Sequence, residues 1–290
     1  MTVSTRALVP TPIASTRRRL PGDPGRPLTT SRAGSRLGRA VVVALLIAWF
    51  MLPLLPLAMW AFANRWSYPS AVPTDWGFDG LNSAITTGGP AAFGHSALLG
   101  IAVAVVATPI GAVAARALVA GWAPFPKIVT VLLFAPIAIP PFAAILGTNV
   151  ILLRAQIPPV VGLVLVLSVA ALPYTTFTLR TAYAAHDVGY EEEARTLGAS
   201  AARVLLSVHL PLMAPALARA AFLAFLVGWS DYIVTLIVGG GQLVTLPMIT
   251  GSLASGIGNE SVVAVLSLAA VIPPLVLLTL LTASESRSRS

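Results

Sequence analysis

The chain has 290 residues, of which 57% are hydrophobic and 10% charged, where a water-soluble domain carries about 25% charged residues. A mean hydropathy of +0.87 excludes an ordinary soluble domain, and the absence of cysteine excludes disulfide frameworks, iron–sulfur clusters and thiol nucleophiles. The formal charge of +8 would suggest a nucleic-acid partner in a soluble protein, but here the positions of the basic residues account for it and no nucleic-acid partner is expected.

Residues 1–38 are rich in Arg, Pro, Ser, Thr and Gly. Such a composition cannot bury enough apolar surface to offset its ordering entropy, so a disordered basic cytoplasmic tail is expected. Arg17-Arg18-Arg19 resembles a twin-arginine signal. However, about twenty residues part it from the first apolar run, which is longer than the roughly 7–15 residues of a signal core. The run therefore reads as an uncleaved span.

A spanning helix needs about 20 mostly apolar residues. Six stretches meet this, at residues 40–62, 97–115, 128–153, 160–179, 216–238 and 261–281. The fold class is therefore all-α, a polytopic membrane helical bundle of six transmembrane helices, with a six-span transmembrane domain over residues 39–283 and a short cytoplasmic tail at 284–290. Basic residues in short flanking loops stay on the cytoplasmic side. With both termini inside, all 18 basic residues except Arg65 and Arg154 fall in cytoplasmic segments.

Catalytic chemistry finds no support. A phosphate-binding loop needs Gly-Lys-Ser/Thr, and the lone lysine, Lys127, follows Pro126. Gly239-Gly240-Gly241 reads as a turn closing the fifth span. His95, His186 and His209 lack the i, i+4 spacing of a metal site built by one helix. They read as surface or interfacial residues, and no metal, catalytic residue or cofactor is expected in this chain.

Between the fourth and fifth spans lies the longest internal cytoplasmic segment, residues 181–215. Asp187 and Glu191-Glu192-Glu193 favour a helix N-terminus through the macrodipole. Leu197 ends that helix, Gly198 supplies a positive φ, and a second helix runs over residues 201–208 until Pro211 limits it.

This loop resembles the signature of binding-protein-dependent ABC importer permeases: Glu-Ala-Ala, three residues, Gly, nine residues, Ile-x-Leu-Pro. Glu192, Glu193 and Ala194 take the first places, Gly198 the glycine, and Val208-His209-Leu210-Pro211 the ending. Glu193 for Ala and Val208 for Ile are the departures. The resemblance implies a type I importer permease fold, with Glu191, Glu192, Glu193, Ala194, Gly198, Leu210 and Pro211 coupling the chain to a separate ATPase pair that hydrolyses ATP. It further implies a second permease subunit, an extracytoplasmic substrate-binding protein and a bacterial inner (plasma) membrane location.

Asp231 is the sole acidic residue within a span, and burial of a carboxylate at the bilayer centre costs at least ~2.5 kcal/mol. Gly228, Asp231 and Thr235 share a face at i, i+3 and i+4 spacing and are candidates for the translocation path. An interhelical hydrogen-bonding role for Asp231 is the alternative. Pro136, Pro140, Pro141 and Pro173 are expected to interrupt the third and fourth spans, as hinges or as packing kinks.

Gly228-Trp229-Ser230-Asp231-Tyr232 with Thr245-Leu246-Pro247 resembles permeases for polyamine, ferric iron, thiamine or phosphonate, with sugar permeases the alternative. An ion-gradient-driven secondary transporter would show internal repeats and several intramembrane charges, and neither is evident here.

Overall fold

The computed structural model describes residues 32–67 and 69–288, with side chains from residue 38 to 283 apart from 68. The tail expected at 1–38 lies mostly outside the described residues, and its last part is already helical. The helix α1 (Arg32–Met51) is a unit by itself; from Ala40 onward it is continuously apolar apart from the helix-favouring Ala residues.

The second unit starts at Leu52. In chain order it holds α2 (Leu54–Ala61), β1 (Ala63–Arg65), β2 (Asp75–Trp76), α3 (Asp79–Thr86) and α4 (Gly89–Val119). There follow α5 (Pro126–Ala138), α6 (Pro141–Arg154), α7 (Pro159–Ala185), α8 (Gly189–Thr196) and α9 (Ala201–Val204). A π-turn (Leu205–His209) leads into α10 (Leu210–Ser230), α11 (Ile233–Val238), α12 (Leu246–Ala254) and α13 (Glu260–Ser288). The strands form one short antiparallel ribbon that pairs Ala63 with Trp76.

Four helical runs are long and apolar enough to cross a membrane: Gly89–Val119, Pro159–Ala185, Ala201–Trp229 and Glu260–Ala283. Two further pairs pass together, Gly38–Met51 with Leu54–Ala61 and Pro126–Ala138 with Pro141–Arg154. The protein is thus an all-α polytopic membrane protein whose straight spans number four among the described residues.

Three of the expected spans are each interrupted by a break. The stretch 40–62 is divided at Pro53, and the stretch 128–153 bends by 104° between α5 and α6. There Ile139, forced away from helical geometry by Pro140, is extended at ψ 134°. Pro173, by contrast, lies buried inside an uninterrupted α7, so it does not break the fourth span. The stretch 216–238 is divided between Ser230 and Ile233. Residues expected as a tail at 284–288 continue α13.

The core is a three-helix contact of α4, α7 and α10. Its residues recur at helical spacing: Gly100, Val103, Ala107, Gly111 and Ala115 on α4, and Met213, Ala216, Ala220, Ala224 and Gly228 on α10, all buried. Leu163, Leu167, Ala171, Thr175, Leu179 and Tyr183 form the matching face of α7. Lipid is as apolar as leucine, so close van der Waals packing of small residues replaces the hydrophobic effect as the force between helices. The other face of α4 carries exposed Leu98, Val105 and Val113, as a lipid-facing surface requires.

The approach is closest where α4 and α10 cross. A Cβ added to Gly228 would lie 2.8 Å from the Cα of Gly100, and one on Gly111 would collide with Thr175. Gly228→Ala is therefore expected to destabilise the protein by about 1–3 kcal/mol through overpacking, seen as a lowered thermal midpoint in detergent. Gly94→Ala, on α4 with open space at its Cβ, should not lower it.

Candidate functional site

The segment between α7 and α10 folds as two short helices around a glycine, as its sequence predicts. Asp187 Oδ1 accepts from the Gly189 N–H at 2.9 Å and starts α8. At the other end Gly198 has φ +86°, its N–H donates to Arg195 O, and the Ala199 N–H donates to Ala194 O. This double closure is a Schellman motif. Ser200 then caps α9 by accepting from the Arg203 N–H.

The second helix departs from expectation. Pro211 does not limit it; the chain passes from α9 through the π-turn into α10 without a stop. Proline has no N–H to donate and crowds the carbonyl four residues back. The wider turn, in which Leu210 N–H donates to Leu205 O, accommodates it inside a continuous helical run.

The expected coupling residues divide into two groups. Glu192, Glu193, Gly198, Leu210 and Pro211 are exposed and Ala194 is half-buried. On the same side Leu197 is 82% exposed, and Tyr190, Glu193, Ala194, Leu197, Val208 and Pro211 line a shallow hollow of about 350 Å³. Glu191 points the other way and is only 3% exposed.

Glu191 is the centre of a buried polar cluster. Its Oε2 accepts from Arg116 of α4 at 2.7 Å. Its Oε1 lies 2.7 Å from His209 Nδ1 and 3.3 Å from His186 Nε2. An ionised carboxylate only accepts, so both ring nitrogens donate to it. The Tyr183 hydroxyl, 3.1 Å from His209 Nε2, then donates to the remaining ring nitrogen. Burial by itself would raise the Glu191 carboxyl; the hydrogen bond from His209 and the charge and hydrogen bond of Arg116 outweigh it and hold the group below the usual carboxylate range.

His186 and His209 are therefore not surface residues. The fold brings them from opposite ends of the loop onto one carboxylate, and His209 is 4% exposed. Arg116, Tyr183, His186 and His209 were not legible as a group, because their spacing in sequence follows no single helix. One clue was present: His209 sits inside the Val-His-Leu-Pro ending, one residue before the run becomes apolar.

The break after Ser230 sets Gly228 apart from Asp231 and Thr235, which stay in contact. Gly228 faces Gly100 of α4, and Thr235 is fully buried. Asp231 Oδ2 accepts from both the N–H and the Oγ1 of Thr235, at 2.8 and 2.9 Å, and so caps α11 across the break. The neighbouring Trp229 is buried, donates its indole N–H to Ala270 O of α13 and meets Phe93 edge-on. An apolar cleft of about 1300 Å³ runs between α4, α10 and α13, from Phe93 to Arg116, Tyr183 and His209.

Residues 107–289, more than half of the chain, match the profile of the family described as binding-protein-dependent transport system inner membrane component. The chain belongs to that family. The matched stretch takes in the interhelical loop, the Glu191 cluster and the break at Asp231. A candidate ABC transporter permease protein, ORF1, of Streptomyces antibioticus is 36% identical over 102 residues. That alignment covers 35% of this chain and 43% of the relative. The protein is thus a multi-pass membrane protein of the binding-protein-dependent ABC permease family, and it spans less than half the length of the relative it matches.

Glu191→Ala would leave Arg116, His186 and His209 without their acceptor. A loss of about 1–3 kcal/mol is expected, read as a lower thermal midpoint and faster hydrogen exchange in α8. Glu192→Ala, on the exposed face, should change stability by less than about 0.5 kcal/mol. The wild-type tie should also depend on pH in one direction. A carboxyl lowered by folding contributes its full stabilisation above the unfolded value of about 4.3. That contribution is lost as pH falls through the still lower folded value, and slower exchange in α8 should persist down to that window.

Proposed function

We propose that the exposed side of α8 and the π-turn is where a separate ATPase pair docks, so that ATP hydrolysed in the partner drives this permease. The observation that carries the reading is the outward face of Tyr190, Glu193, Ala194 and Leu197, held at a fixed angle by the positive φ of Gly198. An 82% exposed leucine in a loop made of short, well-capped helices suits a partner surface. Glu192, Leu210 and Pro211 border that face, and Glu191 holds it to the bundle from behind.

In this reading a second permease subunit completes the translocation path, and an extracytoplasmic binding protein delivers the substrate. Asp231 at the helix break is the polar group proposed to face the path. The resemblance around Gly228–Tyr232 favours a substrate of the polyamine, ferric-iron, thiamine or phosphonate type, with a sugar-type importer as the alternative. The chain would lie in a bacterial inner membrane with both termini in the cytoplasm. A topology reporter fused after Arg195 should give a cytoplasmic signal and one fused after Val72 an extracytoplasmic signal; the reverse pattern would overturn the orientation.

The test of coupling is Gly198→Val. A Cβ at this position meets nothing within 4 Å, so the effect is confined to the backbone, where φ +86° is a genuine outlier for a β-branched residue. Uptake and co-purification of the ATPase should both be lost while membrane insertion is unchanged. Normal uptake would refute the role given to this loop.

A further inference from the structure

We propose that His186 Nε2, Glu191 Oε1 and His209 Nδ1 form a site for a divalent first-row transition metal, zinc by donor set, that pins the interhelical loop to the bundle. One ligand atom from each of the three lies within 4.8 Å of the others. Two imidazoles and a carboxylate, leaving an open fourth position, are a recurrent zinc donor set. Zinc bonds of about 2.0–2.2 Å place tetrahedral ligand atoms roughly 3.3 Å apart. His186 and Glu191 already stand at 3.3 Å. His209 and Glu191, at 2.7 Å, would separate by roughly half an ångström.

The surroundings supply what such a site needs beyond its ligands. Metal-bound groups are oriented by hydrogen bonds on their far side. Arg116 holds Oε2, the carboxylate oxygen not offered to the metal, at 2.7 Å. Tyr183 stands on Nε2 of His209. When Nδ1 takes the metal, the ring proton moves to Nε2, and the Tyr183 oxygen turns from donor to acceptor. The ring therefore keeps its hydrogen-bond partner on Nε2 in both states. Arg116 is about one-third exposed on its side chain, so water screens the added positive charge. Arg116, Tyr183 and His209 line one end of the cleft between α4, α10 and α13, so the His209 side of the cluster adjoins open space where a fourth ligand would stand.

The consequence is mechanical. The ligands come from the end of α7, from α8 and from the π-turn, so one ion would join three elements that are otherwise tied by hydrogen bonds to a single carboxylate.

The composition makes the test clean, because the whole chain has three histidines and no cysteine. The full-length protein, purified in nanodiscs through a tag without histidine, is titrated with Zn²⁺ against a chromophoric chelator. One zinc per chain is expected, unaffected by Mg²⁺ or Ca²⁺ and unchanged in H95Q. H186Q and H209Q should each weaken binding at least tenfold. Tyr183→Phe, which removes no ligand, should weaken it about 10-fold. Zinc should slow hydrogen exchange over residues 186–211 in the wild type and not in H186Q. His186 lies at the edge of the cluster, so H186Q keeps the test open if H209Q fails to fold. Absence of one-to-one binding, or unchanged affinity in H186Q, overturns the site. Neither result bears on uptake measured without zinc, which remains the separate test of transport.

Discussion

The bundle depends on backbones that touch. At the crossing of α4 and α10 there is no room for a single Cβ between Gly100 and Gly228. The rows of alanine above and below that point keep the helices close for several turns. In water such a surface would be a poor core, since glycine and alanine bury little apolar area. In lipid the comparison is different: a leucine gains nothing by leaving the acyl chains, whereas close backbones gain dispersion contacts along their length. Much of the outward surface is accordingly large and apolar, with Leu98, Val105 and Val113 exposed on α4, and the contact of α4, α7 and α10 is the frame on which the polar ends are mounted.

At one end of this contact the packing becomes electrostatic. Ala115, Leu179, Met213, Ala216 and Ala220 form the last apolar layer, which also includes Tyr183. Immediately beyond it Arg116, His186, His209 and Tyr183 converge around Glu191. The three donors to the carboxylate, Arg116, His186 and His209, are mounted at the ends of α4 and α7 and on the π-turn, and the carboxylate that receives them is on a helix of 8 residues. So short a helix has little stability of its own. Its Schellman closure and its buried carboxylate make it behave as part of the bundle, so a force applied to its outer face is passed to α4, α7 and α10 instead of being absorbed by local unfolding.

The fold class, the long spans and the loop of two helices around Gly198 were legible because each is written in local sequence: runs of apolar residues, basic flanks, and an acidic first turn followed by glycine. What was hidden depends on tertiary contact. Glu191, Glu192 and Glu193 are chemically alike, and only the orientation of α8 distinguishes the buried one from its neighbours. Proline was an uneven guide. Pro173 is carried inside a straight helix, whereas Pro140 turns the chain by a right angle, and both lie in apolar runs that look the same. The face assigned to Gly228, Asp231 and Thr235 presumed a continuous helix, and the chain leaves helical geometry at Asp231 itself, where ψ is 135°.

The π-turn carries a consequence for the register of everything that follows it. A turn closed over five residues holds one more residue than an ordinary helical turn, and each residue rotates the helix by about 100°. Removal of a single residue between Leu205 and Val208 would let the turn close as α-helix, with less room for Pro211. It would also rotate α8 and α9, and Glu191 with them, by about a quarter-turn relative to His209 and α10, whose small-residue face is anchored to α4 and cannot follow. The extra residue thus acts as a phase adjuster: one helical run satisfies both the periodicity of the membrane packing and the separate periodicity of the polar cluster. Gly198 stands thirteen residues ahead of Pro211, and a length change within that interval would shift the two phases against each other.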